Sequence, residues 1–167
     1  TRASVATGGT QADAASRLPV ISANARYVAF VSDATNLAGG LDAAGLADAF
    51  VHDLQTGETV WISGAANGTG EATLAADGAV LRVSAPSNDG RWCAFSSDAT
   101  NLVLTGDANA ATDVFLHDRT SRTTIAASRG PGGVEANADS LPPVGLSSDG
   151  ARVVFVSQAN NLVSGDT

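Results

Sequence analysis

The sequence predicts an all-β fold made of repeated, four-stranded antiparallel sheets. Three observations predict it. First, an internal repeat covers nearly all of the 167 residues. Second, the repeated blocks are short, rich in valine and aromatic residues, and bounded by Gly, Asn, Asp or Ser. Third, residues 28–31 are apolar at every position, which suits a strand covered on both faces.

The first repeated block combines a turn with a strand. Residues 22–37 return as residues 87–102 and again, in part, as residues 147–162. Phe30, Phe95 and Phe155 consequently recur at spacings of 65 and 60 residues. A short apolar segment precedes the turn in the first two copies, around residues 18–22 and 81–84. Each copy therefore predicts two antiparallel strands joined by a tight turn.

A second and a third block complete the unit. Residues 48–53 match residues 113–118, and residues 59–63 match residues 124–128. The residues between these blocks have the length of a hairpin loop, in which Gly57 can adopt positive φ. A short helix over residues 41–50 is the alternative for the preceding segment, but its glycines disfavour a helix.

Four sequential antiparallel strands per unit are typical of a β-propeller blade. The sequence thus predicts one domain, 1–167, that is a propeller segment of about eleven strands, or two and a half to three blades. Such a segment closes into a ring only by oligomerisation or as part of a longer chain. The predicted divisions are 1–18 for the last strand of a preceding blade and a linker, 19–63 for a blade, 64–80 for a linker, 81–128 for a blade, 129–142 for a linker, and 143–167 for a partial blade.

Composition excludes several classes of partner. The formal net charge is -8, and the nine basic residues are all arginines scattered along the chain, which argues against nucleic acid and against an anionic membrane surface. No apolar stretch approaches the length of a membrane-spanning helix. Cys93 has no partner for an internal disulfide, so we expect it to be a small buried residue. The start at Thr1, without an initiator methionine or a signal region, indicates a processed form or an excised piece.

The turn Ser87-Asn88-Asp89-Gly90-Arg91 and the strand of residues 113–118 resemble the TolB-like, WD-repeat-like β-propeller repeats. The Asp-Ala-Thr-Asn-Leu sequence at residues 33–37 and 98–102 is similar to that of the bacterial, extracytoplasmic members. This resemblance implies a propeller fold and a periplasmic or secreted location. It implies little about activity, because propellers are scaffolds for many functions.

No residues stand out as catalytic. His52 and His117, the only histidines, occupy the same position in two repeats, so we expect a structural role for both. Asp53 and Asp118 beside them are expected to accept hydrogen bonds from turn amides. The sequence has no Gly-x-Ser-x-Gly elbow, and its one cysteine and two histidines form no zinc pattern. The prediction is therefore that the chain is not an enzyme.

One loop offers ligands for a metal ion. Asp107, Asn109 and Asp113 place oxygen atoms at close spacing, which suits Ca²⁺, the one cofactor that the sequence suggests. Asx turns that order the same loop are the alternative. Trp61 and Trp92 could stack on a carbohydrate, but both lie in predicted strands, so we expect them in the core.

The sequence therefore favours a non-enzymatic scaffold or interaction module that self-associates through blade edges. Its expected partners are further copies of the chain or adjoining blades of a longer one, with two copies giving roughly six blades, and a protein or glycan as a ligand. Two alternatives remain open. One is an accessory propeller domain of a secreted hydrolase, and the other is a Ca²⁺-stabilised, adhesin-like segment.

Overall fold

The computed structural model describes residues 1–39, 42, 46–66, 81–103 and 108–165. These residues form ten β-strands and one short 3-10 turn at Pro131–Gly133. The strands are β1 (Ser16–Ile21), β2 (Tyr27–Ser32), β3 (Asp48–Asp53), β4 (Thr59–Trp61), β5 (Arg82–Val83), β6 (Trp92–Ser97), β7 (Asp113–Asp118), β8 (Thr123–Ala126), β9 (Ser140–Leu146) and β10 (Val153–Ser157).

The strands form three antiparallel sheets in which neighbours in sequence are neighbours in space. The first sheet has the order β1-β2-β3-β4, the second has the order β5-β6-β7-β8, and the third pairs β9 with β10. This arrangement confirms the predicted all-β fold, a propeller segment with two four-stranded blades and a two-stranded third.

The two complete sheets have the same register. Phe30 pairs with Phe50 in the first sheet, and Phe95 pairs with Phe115 in the second. Each pair of rings stacks, with centroids 5.7 and 5.5 Å apart. Because such cross-strand aromatic pairs stabilise a sheet, they fix the alignment of its two central strands.

The sheets are stacked face against face, which explains why the strand sequences do not alternate between apolar and polar residues. Every residue of β2 and of β3 is buried. The back face of the first sheet carries Tyr27, Ala29 and Val31, and these residues share one core cluster with Cys93 and Phe95 on the front face of the second sheet. We use "front" for the face toward the preceding sheet and "back" for the face toward the following one.

The first strand of a sheet is the least regular. In β1 the register shifts between Arg17 and Val20, where Leu18 adopts a positive φ of 54°. Pro19 lies within this bulge, and proline in strands is confined to such places because it has no N–H to donate. The strand begins three residues ahead of the predicted blade boundary at residue 19, since the bulge hides the pairing of its first residues.

Residues 1–5, predicted as the last strand of a preceding blade, do not form a strand. Val5 makes only an isolated bridge to Gln11, and Arg129 makes the same bridge to Glu135 in the connection between the second and third sheets. The amino-terminal segment therefore resembles an inter-sheet connection, since a strand needs a neighbouring strand to pair with. The described residues accordingly hold ten strands where the sequence predicted about eleven.

The helix considered for residues 41–50 is absent where the structure describes that range, because β3 already begins at Asp48. Residues 41 and 43–45 lie outside the described residues. Among those that are described, no helix is long and apolar enough to cross a membrane.

Candidate functional site

The Ser-x-Asp-Gly-Arg turn is held by its own side chains. Ser87 Oγ accepts a hydrogen bond from the backbone N–H of Trp92 at 2.9 Å, and Asp89 Oδ1 accepts one from the N–H of Arg91 at 3.0 Å. Gly90 between them has φ of +69°, a conformation that glycine adopts without strain. The turns at residues 22–26 and 147–151 repeat these bonds.

Successive turns are joined to one another along one rim of the molecule. Asn24 Nδ2 in the first sheet donates to the carbonyl of Asn88 in the second at 2.6 Å. The N–H of Asn88 in turn donates to the carbonyl of Ser148 in the third at 2.8 Å. The turns therefore hold neighbouring sheets together, in addition to joining two strands within each sheet.

An aromatic ring from one sheet lies directly on the turn glycine of the next. A Cβ atom built on Gly90 would lie 2.2 Å from the ring of Tyr27, and one built on Gly150 would lie 2.5 Å from the ring of Trp92. Real Cβ atoms do not approach other atoms this closely, so only glycine permits the contact. We call this arrangement the aromatic–glycine contact.

Each complete sheet has one arginine-aspartate pair at the same rim. Arg26 donates from Nε and Nη2 to the two carboxylate oxygens of Asp53, at 3.0 and 2.8 Å. Arg91 makes the equivalent pair with Asp118. The arginine hydrogen bonds hold the pKa of each carboxyl well below its usual range.

The predicted turn-amide bonds to these aspartates are confirmed, because Gln55 N–H donates to Asp53 Oδ1 and Thr120 N–H donates to Asp118 Oδ1, both at 2.9 Å. The arginine partners were missed. An available signal was the shared interval of 27 residues between the arginine and the aspartate in the two repeats.

The histidines are buried hydrogen-bonding residues of β3 and β7. His52 Nδ1 lies 2.8 Å from Thr59 Oγ1, and His117 Nδ1 lies 3.0 Å from Thr124 Oγ1. Burial lowers the pKa of both, that of His117 to about 4. The repeated geometry supports the structural role that the sequence suggested.

Cys93 is fully buried at the junction between the first and second sheets. Its thiol lies within hydrogen-bonding distance of the carbonyl of Ser84 at 3.6 Å. Burial raises the pKa of this thiol to about 12, so it stays protonated and unreactive at neutral pH.

The predicted metal ligands are only partly described, because Asp107 lies outside the described residues. Asn109 Nδ2 donates to the carbonyl of Ala136 at 2.6 Å, and its Oδ1 accepts from the N–H of Ala111 at 2.7 Å, as in an Asx turn. Ser128 Oγ donates to Asp113 Oδ1. Within the described ranges no three His, Cys, Asp or Glu residues group as metal ligands. The calcium site stays a prediction.

Both tryptophans are half-buried and take part in packing. Trp61 Nε1 donates to Asp48 Oδ1 at 2.7 Å, while its ring contacts Gly64. Trp92 covers Gly150 on one side, and the guanidinium of Arg91 lies 4.7 Å from its ring centroid. These contacts occupy part of each ring, and neither tryptophan is fully buried in the core, contrary to the prediction from the sequence.

The asparagine of the Asp-Ala-Thr-Asn-Leu motif holds the connection that precedes its sheet. Asn36 Nδ2 donates to the carbonyl of Gln11 at 2.7 Å, and its Oδ1 accepts from the N–H of Asp13 at 3.2 Å. Asn161 bonds to Glu135 and Asn137 in the same way, at 2.7 and 3.0 Å. The motif therefore has a structural role that the sequence did not reveal.

Two sheet faces meet no neighbouring sheet in the described structure, and we call them open. Residues 1–12 pack on part of the first of these faces, where Val28 and Phe30 are buried. The front face of the first sheet has a groove of about 490 Å³, whose lining includes Ile21, Val28 and Phe30. The back face of the third sheet exposes Val154 and Val156, with 69% and 54% of each residue accessible. These two open faces are the candidate interaction site.

No family model and no curated protein matches the chain. Among solved structures, the chain is similar to TolB from Acinetobacter baumannii at 15% sequence identity and a TM-score of 0.47. That similarity covers 90% of this chain and 28% of the other, so the chain spans less than a third of that protein's length.

Proposed function

We propose that this chain is a non-enzymatic β-propeller scaffold that self-associates through the open faces and edges of its end sheets. One observation carries the proposal. Val154 and Val156 are exposed, whereas the equivalent residues of the second sheet, Ala94 and Ser96, are completely buried. Adjacent exposed apolar residues on a sheet face typically mark an association surface.

The groove on the first sheet supplies the complementary surface. Inside the chain, the back face of one sheet packs on the front face of the next, as Ala29 and Phe95 do in their shared cluster. The same contact between the third sheet of one copy and the first sheet of another would join them head to tail, with the valines entering the groove. Repeating a heterologous contact of this kind generates a ring if its rotation closes. Two copies would supply roughly six blades.

The edge strands favour the same association. Among the residues that the structure describes, β10 pairs only with β9, so its other edge offers backbone groups that no described strand pairs with. By repeat position, residues 1–5 of the next copy correspond to residues 125–129 at the end of a fourth strand, so we expect them at the outer edge of the third sheet and not against β10 itself. We place the assembly outside the cytoplasm, in the periplasm or secreted, on the resemblance of its repeats alone.

Native mass, measured by light scattering after size exclusion, tests this function. We expect a discrete multiple of the 16.6 kDa chain. A monomer at every concentration would contradict the proposal.

A matched pair of variants locates the contact. Val156→Asp puts a charge on the open back face, and Val134→Asp puts the same charge on an equally exposed valine in the connection before β9. We expect Val156→Asp to shift the protein to monomer and Val134→Asp to leave the mass unchanged. If both variants kept the multimer, the back face would not be the interface.

A further inference from the structure

The aromatic–glycine contact joins both pairs of neighbouring sheets in this chain. Tyr27 of the first sheet lies on Gly90 of the second, and Trp92 of the second lies on Gly150 of the third. At the first of these junctions a guanidinium adds to the contact. Arg119 of the second sheet lies 5.4 Å from the Tyr27 ring centroid and donates to the Gly90 carbonyl at 2.8 Å.

The two open ends lack every part of this arrangement. On the first sheet, Ala25 occupies the glycine position with φ of +59°, and Leu54 occupies the position of Arg119. On the third sheet, Arg152 occupies the position of Tyr27 and Trp92. Its N–H donates to Ser147 Oγ at 2.9 Å, as the N–H of Trp92 does to Ser87 Oγ, so its backbone is placed in the same way.

These replacements are mutually compatible. An aromatic ring seated on the first sheet in the usual geometry would collide with the Cβ of Ala25, at about the distances found for Gly90 and Gly150. An arginine has a flexible, unbranched stem that can pass over a methyl group. Leu54 cannot donate to the Ala25 carbonyl as Arg119 donates to that of Gly90, and no donor among the described residues reaches it.

We propose that the open front of the first sheet receives a second copy of this chain, whose Arg152 crosses the turn at Ala25 and donates to the Ala25 carbonyl. This proposal rests on the proposed self-association and names the residues that determine its register. Inside the chain, Arg119 reaches the Gly90 carbonyl from the sheet that carries Gly90. Between copies, Arg152 reaches the Ala25 carbonyl from the sheet that packs against it. Arg152 is exposed and makes no ion pair within the described ranges, so it is available for this contact.

The Ala25 methyl also determines which sheet of another copy can pack on the first sheet. A sheet that carries an aromatic residue at this position is excluded by the Ala25 methyl, so the second sheet of another copy cannot take the place of the third. The end-to-end junction lacks the aromatic–glycine contact, which makes it weaker than the junctions inside the chain.

The first test measures the dissociation constant of self-association by sedimentation equilibrium. Arg152→Gln removes the guanidinium, and we expect it to weaken association about tenfold, the equivalent of one charge-assisted hydrogen bond. Arg122→Gln is the matched control, because Arg122 is exposed in the loop before β8 and the change in charge is the same. Equal dissociation constants for the two variants would overturn the assignment.

The second test grafts the missing contact. Arg152→Trp alone should weaken association, because the indole meets the Ala25 methyl. Ala25→Gly combined with Arg152→Trp should restore association and tighten it beyond the unmodified chain, about tenfold. A double variant no tighter than Arg152→Trp alone would overturn the assignment.

The outcomes separate this inference from the function on which it rests. If the unmodified chain is monomeric at every concentration, the proposed self-association fails and the assignment fails with it. If the chain associates but is indifferent to substitution of both Ala25 and Arg152, the scaffold stands and only the register is wrong. Thermal melting of each variant establishes that it is folded.

Discussion

Single residues decide how closely the sheets of this protein approach one another. Gly90 shows this best, because it meets two demands at once: a positive φ in its own turn and a surface without a side chain under Tyr27. Gly57 meets only the first demand, since a Cβ atom there would contact nothing within 4 Å. The two glycines therefore separate backbone strain from inter-sheet packing.

We predict that Gly57→Ala lowers the free energy of unfolding by about 1 kcal/mol, the cost of a left-handed alanine. Gly90→Ala carries the same strain and must also displace the Tyr27 ring, so we expect a loss of about 3 kcal/mol or more. Urea denaturation measures both. Equal losses would mean that the contact with Tyr27 contributes no stability.

A second residue-scale prediction concerns pH. Burial lowers the pKa of His117 to about 4, against an ordinary value of 6.5. Between these two pH values His117 is protonated in the unfolded chain and neutral in the folded chain. Its contribution to the free energy of unfolding is therefore complete above pH 6.5 and is lost as the pH falls toward 4. The shift corresponds to about 3 kcal/mol at most. We expect His117→Gln to flatten the dependence of the unfolding free energy between pH 7 and pH 4.5.

Gln is the appropriate replacement because its amide can keep the hydrogen bond to Thr124 without titrating. His52, whose pKa is also lowered by burial, contributes in the same direction and remains in the variant. An unchanged pH profile in His117→Gln would show that His117 takes no part in the acid sensitivity.

Individual strands show what the sequence could and could not predict. The central strands were predictable, because their apolar blocks and repeated spacing are local features of the chain. β5 and the bulged start of β1 were not, since a two-residue strand has no pattern and a bulge interrupts one. Residues 1–5 had the sequence of a strand end, but whether they form a strand depends on a neighbour that no local pattern encodes.

The contacts of the candidate site were likewise only partly predictable from the sequence. The turn-amide bonds of Asp53 follow from its position before a hairpin, so the sequence predicted them. The contact of Tyr27 with Gly90 joins residues of two different sheets, and only the folded stack brings them together. The open valine face of the third sheet could be expected from the strand count. The groove on the first sheet could not, because it depends on how residues 1–4 lie against that sheet.

The prediction for the strands concerns Phe95 in β6. It is completely buried, and its ring stacks on Phe115 at the centre of the second sheet. We expect Phe95→Ala to lower the unfolding free energy by about 3–5 kcal/mol. Val163→Ala, at a residue that is 62% exposed, is the control and should change it little. A small effect of Phe95→Ala in denaturation would contradict the central position of this residue.

At the scale of the whole molecule, the predicted calcium site has a simple test. An ion bound only by the folded chain raises the melting temperature, so a chelator should lower it if Asp107, Asn109 and Asp113 hold calcium. The described bonds of Asn109 already order this loop as an Asx turn. A melting temperature unchanged by EDTA, measured by calorimetry, would remove the metal and leave the turn as the reason for the residue pattern.

The hydrogen bonds that run from Asn24 to Asn88 and from Asn88 to Ser148 connect each turn only with the adjacent one. Cooperativity in such an array is that of a one-dimensional lattice, in which each unit senses its immediate neighbours. Unfolding should then begin at the terminal units and proceed inward. In evolution, duplication or loss of a unit alters the length of the array without requiring any contact to be redesigned, provided that the two ends still fit whatever they meet.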